Sequence, residues 1–386
     1  MRNLLKIGSL NIPANRWIDA LNYFENIYIL TVWGEKEYKN PNFKYIKLKN
    51  TYLNRKILSL RDNKYFNKYP IIFKLTLYFL RLYNWKTLNN LNSIEFNEVH
   101  SSCNDFDDSS YLTIMAYPWL KTKIITRSVK ESRPNINLCE KLSFEVADKI
   151  VLNTVYNLDF FKKKYPCINW DKKMIILDVD EDFRGTQIMK RIKHDKKLSK
   201  TNNKKHFVIL TGRANSDDSN IRNGARLFYI PLIKEIISNP NNIVHLHTKN
   251  IKLDNKGINK YEELKKNFPN QFYIHKALDF ENSPIESYSI LSKYNYGILH
   301  NFNENTSVSK FDRINIPHRY YEYLLANVIP IIKKKQTVVL EELFRKRKTG
   351  IIYTNINDLS CKDFQLDLNY ILREYNFQKF IDRVYS

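Results

Sequence analysis

The sequence predicts an α/β chain of two doubly wound domains facing a central cleft. Short apolar runs alternate with longer stretches of helical periodicity, the pattern of parallel strands covered by helices on both faces. The alternation occurs twice, on either side of a lysine-rich stretch at 184–205. The length of 386 residues suits two cores of roughly 150–200 residues each. The predicted division is a first domain over 1–183, a basic connector over 184–205 and a second domain over 206–365. A C-terminal helix over 366–386 is expected to return toward the first domain.

In the first half Leu4–Leu10 reads as a strand. Ala14–Glu25 reads as a helix, with Trp17, Ala20, Leu21 and Phe24 on one face. Ile27–Trp33 and Phe43–Leu48 read as strands, and Glu95–Ser101 as another after an unusual insert. Helix, strand and helix follow at Tyr111–Trp119, Lys123–Arg127 and Leu138–Ala147, then strand, helix and strand at Lys149–Asn153, Val155–Tyr165 and Lys173–Leu177. Arg184–Lys205 holds Lys190, Arg191, Lys193, Lys196, Lys197, Lys200, Lys204 and Lys205, with little apolar content after Ile192, and reads as exposed connector. The second half gives strands at His206–Thr211, Asn242–Thr248, Gln271–His275, Tyr296–His300, Val328–Lys333 and Gly350–Thr354. Between them fall helices at Gly224–Asn239, Asn259–Phe268, Pro284–Lys293 and Pro317–Asn327.

Lys and Arg total 63 against 40 Asp and Glu, a formal charge of +23. That excess points to an anionic partner, whether nucleic acid, acidic membrane or phosphorylated substrate. A coding bias toward Lys, Asn, Ile and Tyr is the competing explanation. Hydrophobic residues at 43% exclude intrinsic disorder for most of the chain. Cys103, Cys139, Cys167 and Cys361 form no CxxC pair, so neither a zinc site nor a disulfide framework is expected. Met1–Pro13 carries no long apolar run and no small-residue cleavage site, so no signal peptide is expected, and no stretch is apolar enough to span a bilayer. A cytoplasmic protein is the expectation.

Residues 52–91 stand apart. Eight Lys and Arg face a single acid, Asp62, and aromatic residues lie between them; Ile71, Ile72, Leu75, Phe79 and Leu82 fit one helical face. Two readings stand side by side. A basic, aromatic, amphipathic element suits the surface of an anionic membrane, on the inner face of the cell membrane. A helical hairpin packed on its own domain, with lysines on its wet side, fits equally.

The most informative segment is Pro317–Ile332. Pro317 suits the first turn of a helix, Tyr321, Leu324 and Leu325 form its packing face, and Asn327 stands where a left-handed cap is wanted before the chain re-enters the sheet. Free N–H groups near Arg319 favour a phosphate, and the Glu322 carboxylate can accept hydrogen bonds from a vicinal diol. This segment resembles the P-x-K/R-x-x-E-Y-L-A-x-G-x-P-V-I signature of glycosyltransferases with the GT-B fold, two Rossmann-like domains, particularly the family-four-like enzymes of bacterial surface-polysaccharide assembly. The resemblance implies that Glu322 holds the nucleotide ribose and that Arg319 lies near the phosphates. Asn327 stands where that family has Gly, the next-best left-handed residue. The family's second Glu, eight positions earlier, is Ile314 here; Glu304, Asp312 or loop N–H groups are the substitutes.

Val208–Arg213 resembles the strand-Gly-Arg that opens the nucleotide domain of the same family. Gly212 would turn the backbone at the strand end and Arg213 would clamp a diphosphate. The partner Lys is replaced by Asp218, so Lys249 is the candidate second cation, with Arg222 and Arg226 behind it. Glu98–Ser102 resembles the family's V-V-H-x-H strand end. His100 is then the candidate for proton work, a structural strand-end histidine being the alternative; Ser102 and Arg127 stand where the family has further histidines. Asp105, Asp107 and Asp108 favour helix capping over metal binding. The opening loop keeps Gly8 of the family's glycine pair, with Asn15 and Arg16 as further loop or acceptor candidates. Glu140–Thr154 resembles the family's E-x-x-x-x-x-A-D-x-I-I-x-x-S and bears on fold.

The expectation is therefore a nucleotide-sugar-dependent glycosyltransferase of the hexosyltransferase type. Its partners would be the donor and a glycan or lipid-linked acceptor, with no metal, no cofactor and no nucleic acid. Retention of anomeric configuration is implied by the resemblance alone. The alternatives are a basic nucleic-acid-binding protein and a catalytically degenerate GT-B binding subunit.

Overall fold

The computed structural model describes residues 2–8, 14–31, 39–48, 69–103, 109–121, 124–129, 137–177, 183–217, 227–299, 313–359 and 364–385. The chain divides into two compact units, one of 1–181 with 377–386 and one of 182–376. Each is a parallel sheet with helices, so the chain is an α/β protein of two Rossmann-like units.

The first sheet has seven strands among the described residues: β1 (Asn3–Ile7), β2 (Asn26–Thr31), β3 (Phe43–Lys47), β4 (Glu98–Cys103), β5 (Ile125–Val129), β6 (Lys149–Leu152) and β7 (Met174–Ile176). Their order is β3-β2-β1-β4-β5-β6-β7. Strand order therefore reverses between β1 and β4, where Lys6 pairs with His100. Leu4, Leu5, Ile7, Ile27, Ile29, Val99, Ile150 and Val151 are almost fully buried, as parallel strands covered on both faces require. Gly8, at φ 95°, lets β1 end in a left-handed turn that an L side chain would strain.

The helices of this unit follow local signals. A 3-10 helix spans Ala14–Asn22, and α1 (Pro70–Tyr83) and α2 (Trp85–Asn92) form the described part of the insert. Next come α3 (Ser109–Ala116), α4 (Leu138–Val146) and α5 (Val155–Lys164). Asn137 caps α4 by accepting from the Glu140 N–H at 3.1 Å, and Thr154 caps α5 from the Asn157 N–H at 3.1 Å. The C-terminal Phe377–Tyr385 helix also belongs here. Its Phe377 ring meets Trp17 at 5.1 Å and its Tyr385 ring meets Phe24 at 5.1 Å, edge to face.

The second sheet runs β10-β9-β8-β11-β12-β13. Its strands are β8 (Lys205–Asn215), β9 (Asn242–Lys252), β10 (Phe272–Lys276), β11 (Tyr296–Ile298), β12 (Ile329–Lys333) and β13 (Ile351–Tyr353). The order reverses between β8 and β11, the place where doubly wound sheets take ligands. The longer helices of the unit are α6 (Ile230–Ile237), α7 (Lys260–Asn267), α8 (Pro284–Ser292), α9 (Arg319–Leu325), α10 (Val338–Arg347) and α11 (Leu368–Glu374). Phe207, Ile209, Val244, Leu246 and Phe272 of the strands pack with Ile233 and Ile236 of α6 in its core.

Two expectations are corrected. Residues 184–205 are not simply exposed connector: Arg184, Ile188 and Met189 are buried, and the segment belongs to the second unit. Gly212 does not end a strand. β8 continues to Asn215 and pairs with β9 as far as Lys252. At that level Thr211 donates to the Arg213 carbonyl (2.7 Å) and Thr248 to the Asn250 carbonyl (2.8 Å), the same local bond in both strands. A Cβ at Gly212 would meet nothing within 4 Å, so no close contact calls for glycine there.

Candidate functional site

The second unit's reversal point is built around α9. As the sequence predicts, Asn327 is left-handed, at φ 54°, and turns the chain into β12. Every residue from Tyr320 to Leu325 is buried. The Tyr323 hydroxyl accepts from the Leu210 N–H at 3.1 Å and donates toward the Ile298 carbonyl at 3.2 Å, bridging β8 and β11. Gly297 makes room for it: a Cβ there would stand 2.4 Å from the Tyr323 ring. The Arg319 guanidinium donates to the Leu210 carbonyl at 2.9 Å and to the Tyr229 hydroxyl at 3.3 Å. Burial works against its charge, but Tyr229 and Tyr323 outweigh that and raise its pKa. Its buried Nε–H has no hydrogen-bond partner among the described residues.

Glu322 has a different setting from the one the resemblance implies. The residue is only 2% exposed. Its Oε1 forms a salt bridge with Arg184 and accepts from His318 Nε2 at 2.9 Å, and its Oε2 accepts from the Tyr288 hydroxyl. Arg184 also donates to Tyr288 Oη at 2.8 Å and to the Phe280 carbonyl at 3.4 Å. Burial alone would raise the Glu322 pKa; Arg184 and His318 reverse this and hold it at about 2. Burial carries the Tyr288 pKa well above its ordinary value. The carboxylate thus has protein donors on both oxygens. His318, whose side chain is 41% exposed, is the member of this group that meets solvent. Arg184, Tyr288 and His318 were not among the residues predicted from sequence.

Beyond Gly212 the unit keeps charges and polar atoms that have no partner among the described residues. Arg213 and Lys249 are exposed and make no salt bridge among the described residues, although Asp279 feels the Lys249 charge. Among the described residues, neither amide atom of the buried Asn215 nor the buried Ser216 hydroxyl beside it has a hydrogen-bond partner. Arg222, Arg226, Asp218, Glu304 and Asp312 lie outside the described residues, as do Asp105, Asp107 and Asp108.

In the first unit His100, Arg127 and Arg16 are interior groups. His100 is 0% exposed. Its Nε2 lies 2.7 Å from the Ser128 hydroxyl and its Nδ1 2.7 Å from the Tyr385 hydroxyl, and Trp17, Phe380 and Tyr385 surround the ring. The ring is therefore an interior group hydrogen-bonded at both nitrogens. Arg127 is fully buried and donates to the hydroxyls of Ser101, Thr113 (3.2 Å) and Ser110 (2.8 Å). Arg16 is buried with its guanidinium over the Phe377 ring at 5.4 Å. Lys6, not a candidate from sequence, is buried above Trp17 at 5.2 Å and donates to Ser102. The Gly8 N–H donates to the Leu30 carbonyl at 3.1 Å. Asn15 lies on the 14–22 helix, its side chain outside the described residues. No group of three or more His, Cys, Asp or Glu placed to hold a metal occurs among the described residues.

No family model and no curated protein matches this sequence. Solved structures do resemble its fold. WaaG, a glycosyltransferase involved in lipopolysaccharide biosynthesis, is 10% identical with a TM-score of 0.44, over 99% of this chain and 93% of that one. The wall teichoic acid polymerase TagF, as its H548A variant, is 10% identical with a TM-score of 0.36, over 100% and 83%. Os79 from O. sativa, in complex with UDP, is 10% identical with a TM-score of 0.41, over 99% of both chains. At these identities the likeness is one of fold, and the site is read from this chain's own residues.

Proposed function

We propose that the chain is a glycosyltransferase that moves a sugar from a nucleotide-sugar donor to a glycan or lipid-linked acceptor of the bacterial cell surface. One observation carries the reading. At the carboxyl end of β8 and β9, beside the strand-order reversal, Arg213 and Lys249 stand exposed, and among the described residues they make no salt bridge and the buried amide of Asn215 has no hydrogen-bond partner. Such uncompensated donors suit a diphosphate. Cations there stabilise the charge that builds on the leaving diphosphate as the sugar departs, so the reading calls on no metal. Glu322 then acts as a positioning residue that holds His318 at the edge of α9. Retention of configuration belongs to this proposal by resemblance alone.

A thermal-shift panel of UDP, GDP, CMP and their sugars tests the reading. A ligand at a hundred times its Kd stabilises by about 2.7 kcal/mol. Arg213→Ala, at an exposed position, should leave the unliganded midpoint unchanged and weaken the responding nucleotide at least tenfold. An unchanged affinity in Arg213→Ala and Lys249→Ala removes the site from this place. The closure of Glu322 by Arg184 and Tyr288 favours a second reading, a binding subunit without turnover. Nucleotide binding with no sugar transfer or hydrolysis would select it.

A further inference from the structure

The described part of the insert carries a surface that the transfer reaction does not use. On α1, Phe73, Leu77 and Leu80 are buried against the first unit. Arg81 fastens the helix by donating to the Ile114 and Met115 carbonyls. At about 100° per residue, Ile71, Ile72, Leu75, Tyr78, Phe79 and Leu82 fall within an arc of about 120° on the opposite side. All six are exposed, Ile71 at 69% and Phe79 at 63%. A contiguous apolar face of this kind marks an interaction surface.

The charge around it decides the occupant. Lys74 flanks the apolar arc and Lys86 follows on α2, both exposed and neither in an ion pair among the described residues. No acidic residue occurs from 69 to 92, and the whole chain carries +23. Two copies meeting on this face would bring like charges together. An anionic bilayer would not, and Trp85, 54% exposed, and Tyr78 suit the headgroup layer. No helix among the described residues is long and apolar enough to cross a membrane. We propose that the outer face of α1 lies flat on an anionic lipid surface, with its six apolar side chains in the interface and Lys74 and Lys86 at the headgroups.

Flotation of the full chain with phosphatidylcholine vesicles, with and without phosphatidylglycerol, tests this. Binding should require phosphatidylglycerol and fall at raised salt. Leu75→Asp with Phe79→Asp should lose more than tenfold in vesicle affinity at an unchanged thermal midpoint, because both positions are exposed. Lys74→Gln should lose about fivefold, the equivalent of about 1 kcal/mol for one basic residue at the surface. Wild-type indifference to phosphatidylglycerol, or full binding by the double variant, overturns the proposal. Self-association that the double variant abolishes, without vesicle binding, overturns it in favour of a second copy. The test is separate from the transferase reading, since vesicle binding without turnover would sink that reading and keep this one.

Discussion

Replacing Glu322 with Gln keeps the shape and removes the charge, leaving Arg184 buried without its counter-ion. Two routes give the magnitude. The Glu322 pKa is 4.5 unperturbed and about 2 in the folded chain, about 2.5 units, which corresponds to about 3 kcal/mol. Breaking a buried ion pair from one side costs about 3–5 kcal/mol. The sign follows from the depressed pKa: the stabilisation is fully present above pH 4.5 and is lost as pH falls toward 2. With a urea slope of about 2 kcal/mol/M, the second unit's midpoint should drop by roughly 1.5–2.5 M. All five tryptophans lie at or before Trp170 and so in the first unit. Tryptophan fluorescence therefore serves as the control, and far-UV circular dichroism, which reads the helices and strands of both units, adds the transition of the unit under test. Arg184→Met with Tyr288→Phe and Glu322→Leu, which removes the charges and the orphaned hydroxyl together, should recover most of the loss. A Glu322→Gln midpoint within about 0.3 M of wild type refutes the argument. The same reasoning makes Glu322→Ala a poor probe of catalysis, since inactivity and unfolding would coincide.

Acid should weaken the second unit in a separate window. His206, His245 and His275 lie side by side across β8, β9 and β10, joined nitrogen to nitrogen at 2.9 and 3.0 Å, and His247 meets Tyr294 at 2.9 Å. Burial lowers His206 and His247 to about 4 and His245 to about 2. The unfolded chain takes up protons below about pH 6.5 and the folded chain does not. Stability should therefore fall by about 2 kcal/mol at pH 5 for each of His206 and His247 taken singly, and a flat urea midpoint between pH 7 and pH 5 contradicts this. Gly297→Ala should destabilise by about 1–3 kcal/mol by driving a methyl into Tyr323, whereas Gly212→Ala should stay within about 0.5 kcal/mol; equal midpoints for the two would refute the packing argument. Tyr385→Phe, which leaves His100 Nδ1 without its hydroxyl partner, should cost about 1 kcal/mol, read as a lower thermal midpoint of the tryptophan signal.

What was legible in the sequence is what local periodicity encodes. The apolar runs of β1, β2, β9 and β12 and the α9 segment, from Pro317 to the left-handed Asn327, are set by residues a few positions apart. What failed is what register and distance decide. Gly212 suggests a turn because glycine usually breaks a strand, but β9 offers partners as far as Lys252 and the strand runs on. Arg184 sits 138 residues before the carboxylate that it neutralises, at the edge of a lysine-rich stretch whose composition says surface. The histidine row had one available signal: His245 and His247, two apart on a strand, must share a face. His275 stands opposite His247 in register, and His206 stands opposite Ile243, two positions before His245.

Arg184 also changes what Glu322 can do. A carboxylate already held by a guanidinium, a phenol and an imidazole releases them for a ligand only at the cost of reburying Arg184 unpaired, about 3–5 kcal/mol by the reckoning above. A ribose diol offers neutral hydrogen bonds, each worth about 1–1.5 kcal/mol net, and two of them do not make up that loss. If a nucleoside binds here, it binds beside His318 and Arg213 with the Glu322 contacts kept. Donor affinity should then be insensitive to Tyr288→Phe and steeply sensitive to Arg213→Ala; the opposite pattern in nucleotide titrations would put the diol back on the carboxylate.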